Sequence, residues 1–157
     1  MSRGGRYVRA ALAGMICLTA ALLPASGRCG QAAAGDVAWR VIVHPLNPVR
    51  SIARDELERI YRGKSRFWRD GSAILPLNLS GSDPLRRAFS AQAMRDSEEN
   101  LATYWNREYF QGVAPPAVLQ SSKAVRAYVA VTPNAIGYID ANDVDPSVAV
   151  VEVVDVR

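Results

Sequence analysis

Apolar residues recur at several different spacings along this chain, which indicates a fold built from both strands and helices. Alternation along residues 37–43 is typical of a half-buried strand, and Pro45 ends it. Short apolar runs predict three further strands, at residues 74–79, 135–139 and 148–154. Because Pro76 interrupts the first of these runs, we expect that strand to lack a full hydrogen-bond ladder on one side.

Apolar residues at three- and four-residue spacing predict four helices, with small polar or breaker residues at their ends. Ala53 is a weak cap for the first helix, whose start could lie nearer Ser51. The first helix is expected between Ala53 and Gly63, and the second begins at Asp83 with Pro84 in its first turn. The third is expected between Ser97 and Gly112, and the fourth between Ser122 and Thr132. Strands and helices of these lengths predict a three-layer α/β sandwich around a small, mostly parallel sheet with helices on both faces.

The first residues have the pattern of a secretory signal. Three basic residues come first, Arg3, Arg6 and Arg9. They lead into an apolar run at residues 10–23, which is short for a bilayer span. Cleavage after Ala34 is expected, with a cut after Gly27 or a retained anchor as alternatives. The sequence thus predicts a signal at residues 1–34, one domain at residues 35–157, and a periplasmic or secreted address without a membrane span after cleavage. Lipid modification of Cys29 is a poor fit, because Arg28 precedes it.

Removal of the signal changes the charge and cysteine content. The chain has 19 basic and 15 acidic residues, and four of the basic residues but none of the acidic ones lie before residue 35. The remaining domain is therefore neutral overall, which argues against a nucleic-acid partner. Both Cys17 and Cys29 are removed with the signal, so a hydrophobic core alone must hold the domain, without a disulfide or thiol chemistry.

A loop of small residues between the strand at residues 74–79 and the helix at Asp83 predicts an anion site. Backbone N–H groups and the helix dipole point at an anion in such an arrangement. The candidate ligand-binding residues are Asn78, Ser80, Gly81 and Ser82. The plain alternative is that Ser82 and Asp83 only cap the helix.

Three segments in order resemble the phosphate-binding periplasmic proteins of ABC transporters. They are Ile60 to Lys64 with Trp68 and Asp70-Gly71, then residues 76–82, and then residues 133–138. Proteins of that family have two lobes, and this chain resembles only one of them. It is the lobe whose first strand crosses over from the other lobe. The resemblance implies a single lobe of the type II periplasmic binding protein fold and an extracytoplasmic address.

The loop departs from the pattern that the resemblance implies. Phosphate-binding members have Arg-x-Asp-Gly-Ser-Gly-Thr, of which only Gly81 and Ser82 match here. Asn78 stands in place of the arginine, whose fork would make a charge-assisted bidentate contact. Pro84 lacks a backbone donor, and Asp83 puts a negative charge where an anion would lie. Any anion site is therefore expected to be weak.

Catalysis and metal binding have little support in the sequence. His44 is the only histidine, so neither a metal site nor a serine nucleophile with a positioned base is expected, and no cofactor is predicted. The aromatic residues after the first helix could line a ligand mouth or close the core: Tyr61, Phe67 and Trp68. The neighbouring basic residues could receive an anion or partner, or form a solvated face: Arg62, Lys64, Arg66 and Arg69. Buried packing is expected for the aromatic residues of the third helix: Tyr104, Trp105, Tyr109 and Phe110.

Two non-enzymatic functions are consistent with these features. The first is a solute-binding-like domain that recognises phosphate or another small oxyanion weakly, alone or with a second lobe-like chain completing its cleft. The second is a periplasmic protein–protein interaction module that has lost the ligand site, with the basic residues as part of its partner surface.

Overall fold

A six-stranded sheet forms the centre of residues 38–155, the part of the chain that the computed structural model describes. The expected signal at residues 1–34 lies outside these residues. The strands are β1 (Trp39–Val43), β2 (Ser51–Ala53), β3 (Leu75–Leu79), β4 (Ala117–Leu119), β5 (Ala135–Asp140) and β6 (Ala149–Val154). The helices are α1 (Arg54–Tyr61), α2 (Pro84–Ala93), α3 (Glu98–Phe110) and α4 (Ser122–Val131).

The sheet is mostly parallel, as the sequence predicts. Its strand order is β2-β6-β1-β5-β3-β4. Strand β1 runs antiparallel to both of its neighbours, and the other pairs are parallel. Five strands therefore end at the same edge of the sheet. We call it the carboxyl edge, and the opposite edge the amino edge.

Helices cover both faces of the sheet, which confirms the three-layer arrangement. Helices α1 and α2 lie on one face, where the ring of Tyr138 from β5 stacks on Phe89 from α2 with centroids 3.8 Å apart. Helix α4 covers the other face over β1, β3, β4 and β5. Helix α3 packs against the turn that follows α1, where the Tyr104 hydroxyl donates to the Arg62 carbonyl at 2.8 Å.

The approach of α4 to β5 requires a residue without a side chain. A Cβ atom on Gly137 would lie 2.5 Å from Cγ1 of Val125, well inside van der Waals contact. Val125 and Val129, which face this glycine, are completely buried. Gly137 thus sets the distance between the helix and the centre of the sheet.

Two short strands were missed by the sequence interpretation. Strands β2 and β4 have three residues each and form the two edges of the sheet, where a short strand carries little periodic signal. Strand β3 has neighbours on both sides, but β5 pairs with its first two residues and β4 with its last three. Each ladder is therefore incomplete, and Pro76 lies in β3 just before the β4 ladder begins.

The expected burial of the aromatic residues at the end of α3 is wrong. Tyr109 is 68% exposed and Phe110 is 90% exposed, whereas Tyr104 and Trp105 are half-buried. Spacing places Tyr109 on the same face as the buried Leu101, but within residues 38–155 no element covers the last turn of α3. On α4, Tyr128 is also exposed, although the three- and four-residue spacing of that helix places it beside the buried Val125 and Val129.

Arg62 belongs to an ion-pair network and does not lie on a solvated basic face. Its guanidinium contacts Glu58 at 2.8 Å and Asp96 at 3.0 Å, and its side chain is 16% exposed. The network ties the end of α1 to the connection between α2 and α3. Lys64, Arg66 and Arg69 remain exposed, so the cluster contains three accessible cations and not four.

Replacing Gly137 by alanine is expected to destabilise the fold. The new methyl group would force Val125 or the backbone of β5 to move, which costs about 1–3 kcal/mol in a packed core. Urea unfolding monitored by circular dichroism measures the loss. Gly81→Ala is the matched control, because nothing lies within 4 Å of its Cβ position and its stability should stay within about 0.5 kcal/mol. Equal stability of the two variants would contradict the tight contact.

The Asp96 ion pair is expected to make stability depend on acid. Hydrogen bonds from the Asn100 side chain and then from Arg62 lower the pKa of Asp96. Its stabilisation is therefore complete above about pH 4, the ordinary pKa of aspartate, and is lost as the pH falls through the lowered pKa. Asp96→Asn should lose about 1–2 kcal/mol at neutral pH, and this difference from the wild type should shrink in acid.

Urea unfolding between neutral pH and about pH 2.5 measures this dependence. Asp55→Asn is the control, because that carboxylate is 76% exposed and 3.9 Å from its cationic partner. A difference between Asp96→Asn and the wild type that stays constant across the pH series would show that the carboxylate charge is not responsible.

Candidate functional site

The first turns of α2 and α4 meet at the carboxyl edge of the sheet. They border a hollow of about 300 Å³ whose lining residues are Asp83, Pro84, Leu85, Ser121, Ser122, Lys123, Asp140 and Asp143. We call it the carboxyl-edge hollow. Ligands of open α/β sheets bind outside the carboxyl ends of the strands. The hollow and the adjoining loop at residues 80–82 therefore form the candidate site.

The helix starts at this edge are fixed by side-chain caps. Asp83 accepts a hydrogen bond from the Leu85 N–H at 2.8 Å, as the sequence predicts for this cap. Helix α4 begins at Ser122 as expected, but its cap is Ser121, whose hydroxyl accepts from the Ala124 N–H at 3.2 Å. These caps use donors that an anion would otherwise contact.

Asn78 lies beneath the loop and takes part in a buried hydrogen-bond network. Its side-chain oxygen accepts from the Tyr138 hydroxyl and from the Leu79 N–H, the latter at 3.0 Å. Burial raises the pKa of Tyr138 well above its usual range, so the phenol stays protonated and donates. The predicted ligand Asn78 thus already has internal partners for its amide oxygen.

The other three predicted ligands are brought together in the exposed turn. The hydroxyls of Ser80 and Ser82 lie 3.1 Å apart, and Gly81 between them faces open space. The turn is closed by the Asp83 N–H, which donates to the Ser80 carbonyl at 2.9 Å. Arg87 donates to the Ser82 carbonyl at 3.0 Å, which places a guanidinium beside the turn.

The electrostatics of the hollow are mixed. Among the lining residues that the structure describes, Lys123 is the only cation, whereas Asp83, Asp140 and Asp143 supply three carboxylates. The Ser122 hydroxyl accepts from the Asp140 N–H at 3.1 Å and so joins α4 to the end of β5. Such a hollow can offer hydroxyl and ammonium donors to an anion, but the carboxylates oppose a strong negative charge.

Sequence reasoning missed the residues of α4 and β5 in this hollow. Ser122 and Lys123 stand in the first turn of a helix, and Asp140 ends a strand. Because parallel strands end at one edge, the sequence could have placed Asp140 near the loop at residues 80–82. Placing the start of α4 beside the start of α2 required the prediction of β4, which precedes α4 and is too short to show a periodic pattern.

His44 has a structural role in its loop. Its Nδ1 atom accepts the Leu46 N–H at 3.1 Å. Within residues 38–155 no group of three or more histidine, cysteine or acidic residues could hold a metal ion. No helix in the same range is long and apolar enough to cross a bilayer.

Removal of the Asn78 side chain is expected to weaken the fold. Asn78→Ala leaves the buried Tyr138 hydroxyl without its acceptor, which costs about 1–3 kcal/mol. Thermal and urea unfolding measure the effect. Ser80→Ala is the control, since its exposed hydroxyl contacts Ser82 and should change stability by less than about 0.5 kcal/mol. An unchanged Asn78→Ala protein would leave the amide free for another role.

No protein-family model matches this chain, and a search of curated proteins finds no match. Solved structures do match it. An ABC-type phosphate transport receptor from Vibrio cholerae aligns with a TM-score of 0.60 and 23% identity, over 73% of this chain and 45% of that one.

A putative phosphate ABC transporter substrate-binding protein from Clostridium perfringens, solved with bound phosphate, gives a TM-score of 0.62, with 25% identity over 73% of this chain and 44% of that one. PstS from Borrelia burgdorferi gives a TM-score of 0.57 with 18% identity, over 74% and 47% of the two chains. This chain spans less than half the length of these proteins. Over the part that aligns, it has the α/β fold of phosphate ABC transporter substrate-binding proteins.

Proposed function

We propose that this protein is an extracytoplasmic solute-binding-type domain that recognises phosphate or another small oxyanion weakly at the carboxyl edge. The observation that supports it is the hollow between two helix N-termini, lined by Ser122 and Lys123 and directly preceded in the chain by the turn that carries the Ser80 and Ser82 hydroxyls. Each N-terminus carries about half a positive charge. The fold shared with phosphate transport proteins makes phosphate the first anion to consider.

The composition of the hollow explains why binding would be weak. The lining described within residues 38–155 includes no arginine, and Arg87 beside the turn already donates to the Ser82 carbonyl, so a bidentate contact to the anion is not prepared. Pro84 has no N–H to donate, and Asp83 uses the Leu85 N–H for its cap. The interaction then depends on hydroxyls, the remaining N–H groups and the ammonium of Lys123, which together favour millimolar affinity.

The carboxylates favour phosphate over sulfate. An ionised carboxylate can only accept a hydrogen bond, so it repels an anion that has no proton to donate. Phosphate keeps at least one proton at neutral pH, whereas sulfate has none. Asp83, Asp140 and Asp143 would therefore oppose sulfate more strongly.

A second wall for the hollow is part of the proposal. The aligned binding proteins are more than twice the length of the matched region, and binding proteins of this class close two lobes around a ligand. We propose that a second lobe-like chain or a transporter component covers the carboxyl edge. The signal predicted at residues 1–34 supports the extracytoplasmic address.

A periplasmic interaction module without a ligand site is the second candidate. The commitment of Asn78 to Tyr138 and the three carboxylates of the hollow favour it. The exposed cations Lys64, Arg66 and Arg69 would contribute to the partner surface.

Calorimetric titration with phosphate and sulfate at low salt distinguishes the two candidates. We expect millimolar binding of phosphate and weaker binding of sulfate. Ser82→Ala and Lys123→Ala should each weaken phosphate binding by about threefold to tenfold, the value of one or two hydrogen bonds. Lys64→Ala is the matched control, since that cation lies outside the hollow. The absence of heat with both anions would favour the interaction module.

A further inference from the structure

A larger hollow lies at the amino edge of the sheet, opposite the carboxyl-edge hollow. It has a volume of about 910 Å³ and lies between the loop at residues 46–50, β2, α1 and the segment at residues 67–74. We call it the amino-edge groove. Its size falls within the range of ligand sites, about 300–1,000 Å³. Its main apolar lining residues are Leu46, Ile52, Ile60, Phe67, Ile74 and Pro133.

Hydrogen bonds hold one wall of the groove in place. In the segment at residues 67–74, the Trp68 N–H donates to the Ser72 carbonyl at 2.8 Å, and Phe67 forms a bridge with Ala73. The indole N–H of Trp68 donates to the Asn134 carbonyl at 3.1 Å. This wall is therefore formed before any ligand arrives.

The opposite wall is held in the same way. The Asn47 N–H donates to the His44 carbonyl at 2.9 Å, and the Arg50 guanidinium donates to the Pro45 carbonyl at 3.0 Å. On these two walls Leu46 is 82% exposed and Phe67 is 65% exposed. Large apolar side chains held out over a preformed groove are typical of a surface that binds another molecule.

The third boundary of the groove is an edge strand. All three residues of β2 line the groove, and β6 is the only strand beside β2 within residues 38–155. The other side of the β2 backbone is therefore not part of a ladder. An extended peptide can add to such an edge through main-chain hydrogen bonds, with its alternate side chains in pockets.

The charge of the groove indicates the chemistry of the peptide. Arg50 and Arg69 line it, and neither forms an ion pair with a carboxylate of residues 38–155. Of the two carboxylates in the lining, Glu56 is 3.4 Å from Arg59, whereas Asp70 accepts only from Ser72, a neutral residue, and so keeps its charge. Two cations against one carboxylate without a cationic partner leave the groove better suited to an acidic side chain than to a basic one.

We propose that the amino-edge groove binds an extended segment of a partner protein, apolar at alternate positions and carrying at least one carboxylate. The segment pairs along β2, packs an apolar side chain against Phe67 and directs its carboxylate towards Arg69. This site is separate from the carboxyl-edge hollow and does not depend on oxyanion binding there.

Selection from a phage-displayed library of random octapeptides tests the proposal with the full chain. Wild-type protein should enrich peptides that alternate β-branched or aromatic residues with polar ones and that include aspartate or glutamate. Enriched peptides are then synthesised with a fluorescent label and titrated by anisotropy. No enrichment over an empty surface, or enrichment of basic peptides, would overturn the proposal.

Matched variants locate the binding surface. Phe67→Ala should weaken peptide binding by about tenfold, as expected for an aromatic anchor. Arg69→Glu should weaken it as well, by a factor that shrinks at roughly 0.5 M salt. The controls are Phe110→Ala and Arg107→Glu, which remove an exposed aromatic ring and reverse an exposed charge on α3.

Backbone methylation tests the strand pairing. A peptide with N-methyl groups at alternate positions, on the side that would face β2, should lose binding, whereas methylation of the other positions should not. Thermal unfolding of all four protein variants should match the wild type. Equal binding of both methylated peptides, or equal effects of the α3 controls, would contradict pairing along β2.

Discussion

The contact of β5 with the layers on both of its sides is the constraint on which the rest of the structure depends. Gly137 and Tyr138 stand next to each other in this strand and point to opposite faces. The absence of a side chain at Gly137 lets α4 approach the sheet, and the ring of Tyr138 fills the space beneath α2. Exchanging a small and a large residue here would disturb both layers at once.

Tyr138 also connects the core to the candidate site. Its ring stacks on Phe89, and its hydroxyl holds Asn78 at the end of β3. Arg86 reaches the same strand end, donating to the Leu79 carbonyl at 2.7 Å while it pairs with Glu98. The turn at residues 80–82 is therefore exposed but begins from a fixed point. The hydroxyls of the turn are therefore already positioned before a ligand binds, which lowers the entropic cost of binding.

The two edges of the sheet present different chemistry. At the carboxyl edge, the lining residues that the structure describes include three carboxylates and one lysine around a small hollow. At the amino edge, the groove is larger, carries the exposed side chains of Leu46 and Phe67, and lies beside a side of β2 that no strand of residues 38–155 pairs with. A small hydrated anion suits the first, and an extended apolar segment suits the second. One domain of this size can thus carry a solute site and a partner site at opposite ends of its strands.

Local patterns were sufficient to predict much of the fold. Caps at Asp83 and Ser97 place the starts of α2 and α3, because a side-chain oxygen next to free N–H groups is a local interaction. The class of fold follows from the alternation of strand and helix periods. The same patterns were insufficient for β2 and β4, since three residues at a sheet edge are held by their neighbours and not by their own periodicity.

By itself the sequence determined the α/β class, four helices and the small-residue turn at residues 80–82. Only the tertiary structure decided that Asn78 is engaged by Tyr138, that Arg62 pairs with Glu58 and Asp96, and that the end of α3 is exposed. It also brought α4 to the candidate site and formed the amino-edge groove. The reason is physical: periodicity and capping act over a few residues, whereas burial and partner choice depend on segments that are distant in the chain.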